Sequence, residues 1–334
     1  SNFIYYCIDK GYIVMNYDNL TYAGNEFNLE YLKNNQNYSF VNGDICNYDL
    51  LHNSIIKFKP NFIVNFAAES HVDRSINSPQ NFINTNILGI YHLLESSRKY
   101  YYQSKSELFK LLHISTDEVF GSLSDNENLF NEDSKYNPSS PYSASKACSD
   151  HLVNAWIKTY NLPALITNCS NNYGPYQYPE KLIPLVIQKC IFEEQIPVYG
   201  NGKNIRDWIY VKDHCEALYK VLNKGKIGDS YLIGGNQEKR NIEVVELICE
   251  ILDEINSSDN LKSYKDLIKY VDDRPAHDYR YAVDCKKINK ELNWNPKIGF
   301  DDGIRQTVKW YLENMDWLNK VKMKNQVFSK MDNK

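Results

Sequence analysis

The stretch NFIVNFAAES at residues 61–70 indicates the fold. Its first eight residues, 61–68, form an almost wholly apolar run, which is typical of a strand buried on both faces of a parallel sheet. Further short apolar runs predict strands at residues 12–17, 38–41, 111–115 and 164–169. Amphipathic segments between the runs predict helices at residues 48–58, 79–101 and 141–160. This alternation predicts the α/β class, with a doubly wound parallel sheet covered by helices on both faces.

The rhythm of strands and helices changes after about residue 170. Segments become shorter and more mixed, and glycine and proline become frequent. We therefore expect a first domain at 1–170, and a smaller, partly interleaved α/β domain at 171–334 with segments that return to the first. The polar stretch 122–140 is predicted to be a long loop.

The front of the sequence departs from the expected order. A doubly wound sheet opens with a strand, a Gly-rich turn and a helix. Residues 2–10 already have the character of that first helix, and Gly11 is a credible helix stop. We therefore expect that the first strand and a G-x-G-x-x-G loop are missing from this chain.

Composition excludes several classes of function. Of the 334 residues, 43% are hydrophobic and 24% are charged, as in soluble globular proteins. The net charge of -4 does not suit a nucleic-acid partner, and neither a long apolar span nor a signal-peptide pattern is present. The eight cysteines are scattered, without a Cys-x-x-Cys pair. We expect a cytoplasmic protein that binds neither metal nor membrane.

Two aspartates end predicted strands. Asp18 follows the strand at 12–17, where an acidic side chain accepts hydrogen bonds from both hydroxyls of an adenosine ribose and repels a 2′-phosphate. No arginine follows it, which favours NAD over NADP. Asp44 ends the next strand and could meet the adenine amino group. An ordinary turn aspartate remains the alternative for each residue.

Tyr142 and Lys146 form a Tyr-x-x-x-Lys motif at the start of a predicted helix. This spacing places both side chains on one helix face, and a nearby ammonium group favours tyrosinate, which lowers the pKa of a tyrosine. The same spacing recurs at 6/10, 101/105 and 199/203. Context distinguishes Tyr142, because a hydroxyl-bearing strand end, Ser115-Thr116, precedes it by one loop. That order is typical of a site that oxidises a sugar or an alcohol.

The tripeptide Thr116-Asp117-Glu118 follows the same strand. Neighbouring side chains on a strand face opposite ways, so two adjacent carboxyl groups can reach one substrate only where the strand has ended. A carboxyl pair beside an oxidising tyrosine indicates acid/base chemistry in addition to hydride transfer. The alternative is a solvated Asp-Glu pair that caps a strand.

Seven segments carry a resemblance to a known family. They are YDNLTYAGN (17–25), NFAAESHVDRSI (65–76), ISTDEVFGS (114–122), PYSASKACSDHLV (141–153), TNCSNNYGPYQYPEKLIPL (167–185), PVYGNGKNIRDWIYVKDH (197–214) and DDRPAHDYRYA (272–282). On these segments the chain resembles the extended short-chain dehydrogenase/reductases, and most closely the dTDP-glucose 4,6-dehydratases. The resemblance covers nearly the whole chain and implies a Rossmann-like fold and a lyase that uses NAD. One departure is Ala276, where the family usually has glycine.

The resemblance also implies residue roles. Tyr142 would take the proton from the glucose O4 while C4 gives hydride to NAD⁺, Lys146 would lower the pKa of Tyr142 and bind the nicotinamide ribose, and Thr116 would hydrogen-bond O4. Glu118 would remove the C5 proton, and Asp117 would protonate the departing C6 hydroxyl. The hydride then returns to C6, so that NAD is regenerated and the product is a 4-keto-6-deoxy sugar nucleotide.

Binding residues follow from the same matches. Besides Tyr142 and Lys146, the residues implied at the cofactor are Asp18, Asn19, Thr21, Asp44, Ile45, Ala67, Ala68, Thr85 and Asn172. Those implied at the sugar nucleotide are Ser70, Asn171, Lys181, Leu182, Pro197, Tyr199, Arg206, Asn241, Arg274 and His277. A guanidinium binds phosphate oxygens bidentately, which suits Arg206 and Arg274 to a diphosphate. The resemblance further implies a homodimer that pairs the helices near 79–101 and 141–160.

The sequence leaves several alternatives open. A sister enzyme could act on UDP- or CDP-glucose, and an epimerase or decarboxylase of the same superfamily would have no use for Asp117 and Glu118. The chain could also be an inactive fragment that lacks its phosphate loop.

Overall fold

The computed structural model describes residues 1–332, with side chains as far as residue 324. Its strands are β1 (Val14–Asp18), β2 (Tyr38–Asn42), β3 (Phe62–Asn65), β4 (Lys110–Thr116), β5 (Ala164–Cys169), β6 (Asn171–Tyr173), β7 (Ile196–Tyr199), β8 (Ile205–Tyr210), β9 (Ser230–Ile233), β10 (Glu238–Arg240), β11 (Ile268–Val271) and β12 (Arg280–Tyr281).

The α-helices alternate with these strands along the first half of the chain. They are α1 (Asn2–Asp9), α2 (Tyr48–Phe58), α3 (Val72–Asn77), α4 (Pro79–Phe82), α5 (Ile90–Ser104), α6 (Pro141–Tyr160), α7 (Leu182–Ile191), α8 (Val211–Lys224), α9 (Asn241–Ile255), α10 (Lys286–Leu292), α11 (Phe300–Glu313) and α12 (Met315–Asp332). Short 3-10 helices lie at Glu26–Leu32, Asp117–Phe120 and Tyr264–Leu267, and a π-helix at Ile83–Gly89.

The α/β class and the parallel pairing are confirmed. Strands β3, β4, β5 and β9 form one parallel sheet in the order β3-β4-β5-β9, and β1 and β2 form a parallel pair. A further sheet has the order β10-β8-β12, with β6 also paired to β8, while β7 pairs with β11. Because parallel strands end at the same edge of a sheet, β3, β4 and β5 deliver their carboxyl ends to one side.

The predicted helix at 141–160 is confirmed at both ends, and local chemistry explains why. Ser140 accepts a hydrogen bond from the backbone N–H of Ser143, whose hydroxyl accepts from the N–H of Ser140, and Pro141 occupies the first turn. Such a capping box satisfies backbone donors that a helix N-terminus leaves open. At the other end, Asn161 adopts the left-handed conformation, with φ of 52°.

Two predicted elements differ from the observed ones. The helix expected at 79–101 is interrupted by the π-helix Ile83–Gly89, where a β-carbon at Gly89 would lie 2.5 Å from Ile45. The strand expected at 61–68 ends at Asn65, because the next residues turn away to meet Asn86. The Asn86 side chain accepts from the N–H of Glu69 at 2.9 Å and donates to its carbonyl at 3.0 Å.

Two large apolar clusters divide the interior. One packs β4, β5 and β9 against α8, α10 and part of α1, and includes Leu112, Leu165, Leu218, Leu232 and Ile288. The buried residues of the other cluster all follow residue 170 and pack α7, α9 and α11 around β7 and β8, and Phe27 packs against them from the first part of the chain. The carboxyl ends of β4 and β5 lead into the polar side chains described next. Within residues 1–332, no helix has the length and apolar character needed to cross a membrane.

Candidate active site

The tripeptide Thr116-Asp117-Glu118 lies where β4 ends, as the sequence predicted. Thr116 is the last residue of the strand, and a 3-10 turn, Asp117–Phe120, follows at once. The Thr116 hydroxyl accepts a hydrogen bond from the N–H of Glu118 at 3.3 Å, which caps this turn. Leaving the strand frees adjacent side chains from pointing to opposite faces, so Asp117 and Glu118 can serve one cleft.

Helix α6 places Tyr142 and Lys146 one turn apart beside this strand end. Both are buried, with 8% and 3% of their surface exposed. The Lys146 ammonium donates to the carbonyl of Ile114 on β4 at 2.8 Å, and the Tyr142 ring packs edge-on against Phe82, with 6.3 Å between ring centres. The motif is therefore fixed against the sheet on one side and against α4 on the other.

The pKa of Tyr142 shifts in the direction opposite to the sequence expectation. Burial raises it well above its ordinary value, the Glu118 and Cys169 side chains add to the rise, and a hydrogen bond with Thr116 opposes it. Burial also lowers the pKa of Lys146, while Asp150 and Cys169 oppose that fall. Desolvation disfavours the charged form of each group, and at this depth it is the largest cause of both shifts.

The two carboxyl groups have different surroundings. Asp117 is 1% exposed, and its Oδ2 has no hydrogen-bond partner within the described chain. Burial raises its pKa well above the ordinary value, the neighbouring Glu118 and Asp207 carboxyls raise it further, and Arg206 opposes the rise. Asp117 is thus favoured in its protonated form.

Glu118 lies among cations instead. Burial raises its pKa, but Lys181, Arg206 and Arg274 all oppose the rise. Glu118 is therefore the carboxyl group better suited to remain ionised. Two adjacent acids whose surroundings favour different protonation states are a common basis for paired acid and base roles.

Three of the expected substrate residues, Lys181, Arg274 and Tyr199, contact the segment that follows β3. Lys181 donates to the Ser70 carbonyl at 2.9 Å. The Arg274 guanidinium contacts Asp73 at 3.2 Å, and the Tyr199 hydroxyl donates to the same carboxylate at 3.1 Å. Lys181, Arg274 and Tyr199 come from the second half of the chain, and each contacts a residue of the first half.

Arg206 differs from the expectation of a freely available phosphate ligand. Its guanidinium donates to the backbone carbonyls of Ile205, Asp278 and Tyr279 and lies 4.3 Å from the Tyr281 ring centre. Only 5% of the residue is exposed. In this conformation both terminal nitrogens are already occupied, so bidentate phosphate binding by Arg206 would need a rearrangement.

The remaining expected substrate residues occupy separate elements. His277 pairs with the Asp273 carboxylate at 2.6 Å, and burial lowers the His277 pKa while Asp273 opposes the fall. Others lie on β6 (Asn171), β7 (Pro197), α7 (Leu182) and α9 (Asn241). Ala276, beside His277, has φ of 52°, a left-handed conformation that glycine adopts far more readily.

Four of the expected cofactor residues line a cavity beside β1 and β2. Asp18 is exposed at the carboxyl end of β1, and Asn19 donates to the Asp44 carboxylate at 2.9 Å. Next to them lies a cavity of about 540 Å³, whose lining includes Asn19, Thr21, Asp44 and Thr85. Its size and polar groups at the carboxyl ends of parallel strands fit the adenosine portion of a dinucleotide.

Other expected cofactor residues lie nearer the sheet. Ile45 is buried behind the cavity, and Ala67 and Ala68 follow β3. Asn172 on β6 contacts His214 through its side-chain oxygen at 2.7 Å. Sequence reasoning missed seven further lining residues, Tyr22, Cys46, Glu69, Arg74, Asn81, Asn84 and Leu88. Of these, Tyr22, Glu69 and Arg74 lie within the segments 17–25 and 65–76 that carry the resemblance.

Sequence reasoning also missed a group of polar side chains buried behind Lys146. These are Asn65, His113, Asp150 and Asn168, each at most 5% exposed. Their signal in the sequence was weak but visible, since His113 and Asn65 interrupt otherwise apolar strands. Buried polar groups of this kind are normally hydrogen-bonded, and this group is considered further below.

Comparison with known proteins agrees with this geometry. A family model described as GDP-mannose 4,6 dehydratase matches residues 1–307. The dTDP-glucose 4,6-dehydratase of Escherichia coli is 51% identical over 321 residues, covering 92% of this chain and 89% of that protein. That of Haemophilus influenzae is 52% identical over 306 residues, covering 90% of each. The crystal structure of the Bacillus anthracis dTDP-glucose 4,6-dehydratase in complex with NAD has a TM-score of 0.84 and 43% identity, covering 96% of this chain and 95% of that one.

The parallel sheet, the strand-end Thr116 and the Tyr142–Lys146 pair define an extended short-chain dehydrogenase/reductase. Within that class, the chain belongs to the dTDP-glucose 4,6-dehydratase family.

Proposed function

We propose that the chain converts dTDP-glucose to dTDP-4-keto-6-deoxyglucose, as a hydro-lyase that uses NAD. The observation that carries the proposal is the pair of carboxyl groups at the end of β4, Asp117 favoured as the neutral acid and Glu118 surrounded by cations, directly beside Tyr142. Plain oxidation of an alcohol needs the tyrosine but neither carboxyl group. Family membership agrees with the same reaction.

NAD would lie across the carboxyl ends of β1, β2 and β3. Asp18 would hold the adenosine ribose and Asp44 the adenine, while Asn19, Thr21, Ile45 and Thr85 would line the adenosine cavity. Ala67, Ala68, Asn172 and Lys146 would contact the part of NAD nearer to Tyr142. Bound NAD⁺ supplies the hydride acceptor at the start of the reaction and the hydride donor at its end.

In the first step, Tyr142 would act as the base that takes the proton from O4 of glucose. A buried tyrosine with a raised pKa needs positive charge nearby to form tyrosinate, and Lys146, one helical turn away, provides an ammonium group. Thr116 would hold O4 through its hydroxyl group, since it already lies close enough to Tyr142 to influence its pKa. With O4 held by Thr116 and Tyr142, C4 of the sugar would lie next to the carboxyl end of β4.

Glu118 and Asp117 would then act as the base and the acid in the elimination of water. Once C4 is a ketone, the proton at C5 is acidic and Glu118 removes it, while Asp117 gives a proton to the C6 hydroxyl, which leaves as water. The neutral form that burial imposes on Asp117 is the form a general acid needs. Return of hydride to C6 and of a proton to C5 completes the product.

The sugar nucleotide would be held mainly by the cations opposite β4. Lys181 and Arg274 lie close enough to Glu118 to influence its pKa, and an arginine suits the diphosphate. Arg206 would support the site from behind in its present conformation. Ser70, Asn171, Leu182, Pro197, Tyr199, Asn241 and His277 would contact the sugar and base.

The remaining expectations are proposals with structural support. A boundary near residue 170 agrees with an apolar cluster confined to later residues, although β9 returns to pair with β5. A homodimer through the helical segments near 79–101 and 141–160 is supported by exposed apolar side chains in the first of them, at Ile83 in the π-helix and Tyr91 in α5, which are 50% and 43% exposed. All eight cysteines are free, which suits the reducing cytoplasm.

Product analysis with three substrates tests the proposed reaction. We expect mass spectrometry to show loss of one water from dTDP-glucose, with much slower turnover of UDP- and CDP-glucose. A faster reaction with UDP- or CDP-glucose would favour a sister dehydratase. A product of unchanged mass would favour an epimerase and contradict the roles of Asp117 and Glu118.

A further inference from the structure

A fully buried carboxylate lies behind the Tyr142–Lys146 motif on the same helix. Asp150 is 0% exposed and lies one turn after Lys146. Three donors converge on its Oδ2: the Ser115 hydroxyl at 2.8 Å, the Tyr136 hydroxyl at 2.9 Å and the Asn168 amide at 3.2 Å. An oxygen that only accepts hydrogen bonds is the arrangement of an ionised carboxylate.

The other oxygen of Asp150 faces a neutral histidine. Oδ1 lies 3.4 Å from Nε2 of His113, and Nδ1 of His113 lies 3.2 Å from the amide nitrogen of Asn65. An amide NH₂ can only donate, so Nδ1 accepts and Nε2 carries the proton. Burial, helped by the charge of Lys146, lowers the His113 pKa, although Asp150 opposes this. His113 therefore leaves the Asp150 charge without a cation.

Lys146 is the cation one turn before Asp150 on the same face of α6, and both side chains are buried. The visible hydrogen bond of Lys146 goes to a neutral carbonyl, that of Ile114. Burial lowers the Lys146 pKa, and Asp150 is the first group that opposes this fall, ahead of Cys169. A buried ammonium without a carboxylate tends to lose its proton rather than remain charged.

We propose that Asp150 is a positioning residue that keeps Lys146 protonated, so that Lys146 can support the tyrosinate form of Tyr142. This inference rests on the proposed function, in which Tyr142 is the base for C4 oxidation. Asp150 acts through Lys146 and touches neither substrate nor cofactor. Ser115 on β4, Tyr136 in the preceding loop and Asn168 on β5 hold the carboxylate in place, so strands and helix are aligned by the same group.

The pH dependence of the first hydride transfer tests this role. The rate at which reduced nicotinamide appears in a single turnover with dTDP-glucose is measured against pH for the wild type, Asp150→Asn and Tyr136→Phe. Without Asp150, Lys146 should lose its proton at lower pH, so the alkaline loss of rate should move down by about one unit or more, about tenfold in rate on that limb. Tyr136→Phe removes one donor but no charge, and should keep the wild-type profile.

An unchanged alkaline limb in Asp150→Asn, or an equal shift in Tyr136→Phe, would overturn the inference. If the wild type itself forms no reduced nicotinamide, the proposed function fails instead, and a test independent of activity decides the role of Asp150. Thermal unfolding of Asp150→Asn, Lys146→Met and the double variant provides it. Because the double variant buries no unpaired charge, it should melt at or above the temperature of Asp150→Asn alone.

Additive losses in melting temperature would show that Asp150 and Lys146 do not form a charge pair, which overturns the inference. Should Asp150→Asn fail to fold, the same comparison still applies. Folding restored by adding Lys146→Met supports the pair, and continued failure of the double variant contradicts it.

Discussion

Replacing Asp117 by asparagine should make the protein slower but more stable at neutral pH. The carboxyl group is buried, its Oδ2 lacks a hydrogen-bond partner among the side chains that the structure describes, and two further carboxyls, Glu118 and Asp207, lie near it. Its folded-state pKa is therefore raised well above 3.8. At pH 7, Asp117 ionises readily in the unfolded chain but not in the folded chain. This difference lowers the free energy of unfolding.

The sign of the pH dependence follows directly. Well below the unfolded-state pKa of about 3.9, Asp117 is protonated in both states, so aspartate and asparagine should differ little in stability. As pH rises through the unfolded-state pKa toward the raised folded-state pKa, the wild type loses stability and Asp117→Asn does not. Each unit of difference between the two pKa values corresponds to about 1.4 kcal/mol. The advantage of Asp117→Asn should grow across this window and then stay constant.

Urea unfolding of both proteins between pH 4 and pH 8 measures the stability difference, and a steady-state assay measures dehydration. Loss of a general acid should slow dehydration about 10²- to 10⁴-fold. The reasoning would be refuted if Asp117→Asn were less stable than the wild type at pH 7, or if the difference did not change with pH. If Asp117→Asn were more stable but as active as the wild type, Asp117 would have no role in the mechanism, although its raised pKa would still be supported.

Two further substitutions separate the steps of the reaction, and a third tests the backbone at Ala276. Glu118→Gln should slow dehydration about 10²- to 10⁴-fold yet allow C4 oxidation, so that reduced nicotinamide accumulates in a single turnover. Rapid dehydration by this variant would show that Glu118 has only a structural role at the end of β4. Tyr142→Phe should prevent the absorbance of reduced nicotinamide from appearing at all, and its appearance at the wild-type rate would identify another base. Ala276→Gly should raise the free energy of unfolding by about 0.5–1 kcal/mol, because glycine relieves the left-handed backbone at a small entropic cost. Denaturant unfolding measures it, and a loss of stability would show that the methyl group contributes packing.

The regular elements of the first half could be predicted because their signals are local. The capping residues and apolar spacing of the helix at 141–160 lie within the segment itself, and the predicted bounds agree with α6. The strand at 61–68 was predicted too long, since the chain leaves the sheet after Asn65 and the backbone of Glu69 is bonded to Asn86, 17 positions away. No pattern within the strand can reveal such a partner.

The chemistry of the site was only partly accessible from sequence. That Asp117 and Glu118 follow a strand could be predicted, and the structure confirms that β4 ends at Thr116. Their different surroundings could not, because Lys181 and Arg274 come from distant parts of the chain. The raised pKa of Tyr142 depends on depth of burial, which a Tyr-x-x-x-Lys motif does not encode.

The path of one hydrogen atom tests the central proposal most directly. dTDP-glucose that carries deuterium at C4 is turned over in ordinary water, and the product is examined by NMR and mass spectrometry. Oxidation at C4 followed by reduction at C6 on the same bound cofactor predicts that the deuterium appears at C6, that C5 carries a solvent proton, and that no net reduced nicotinamide forms. Deuterium retained at C4, or found in released reduced nicotinamide, would contradict the dehydratase mechanism.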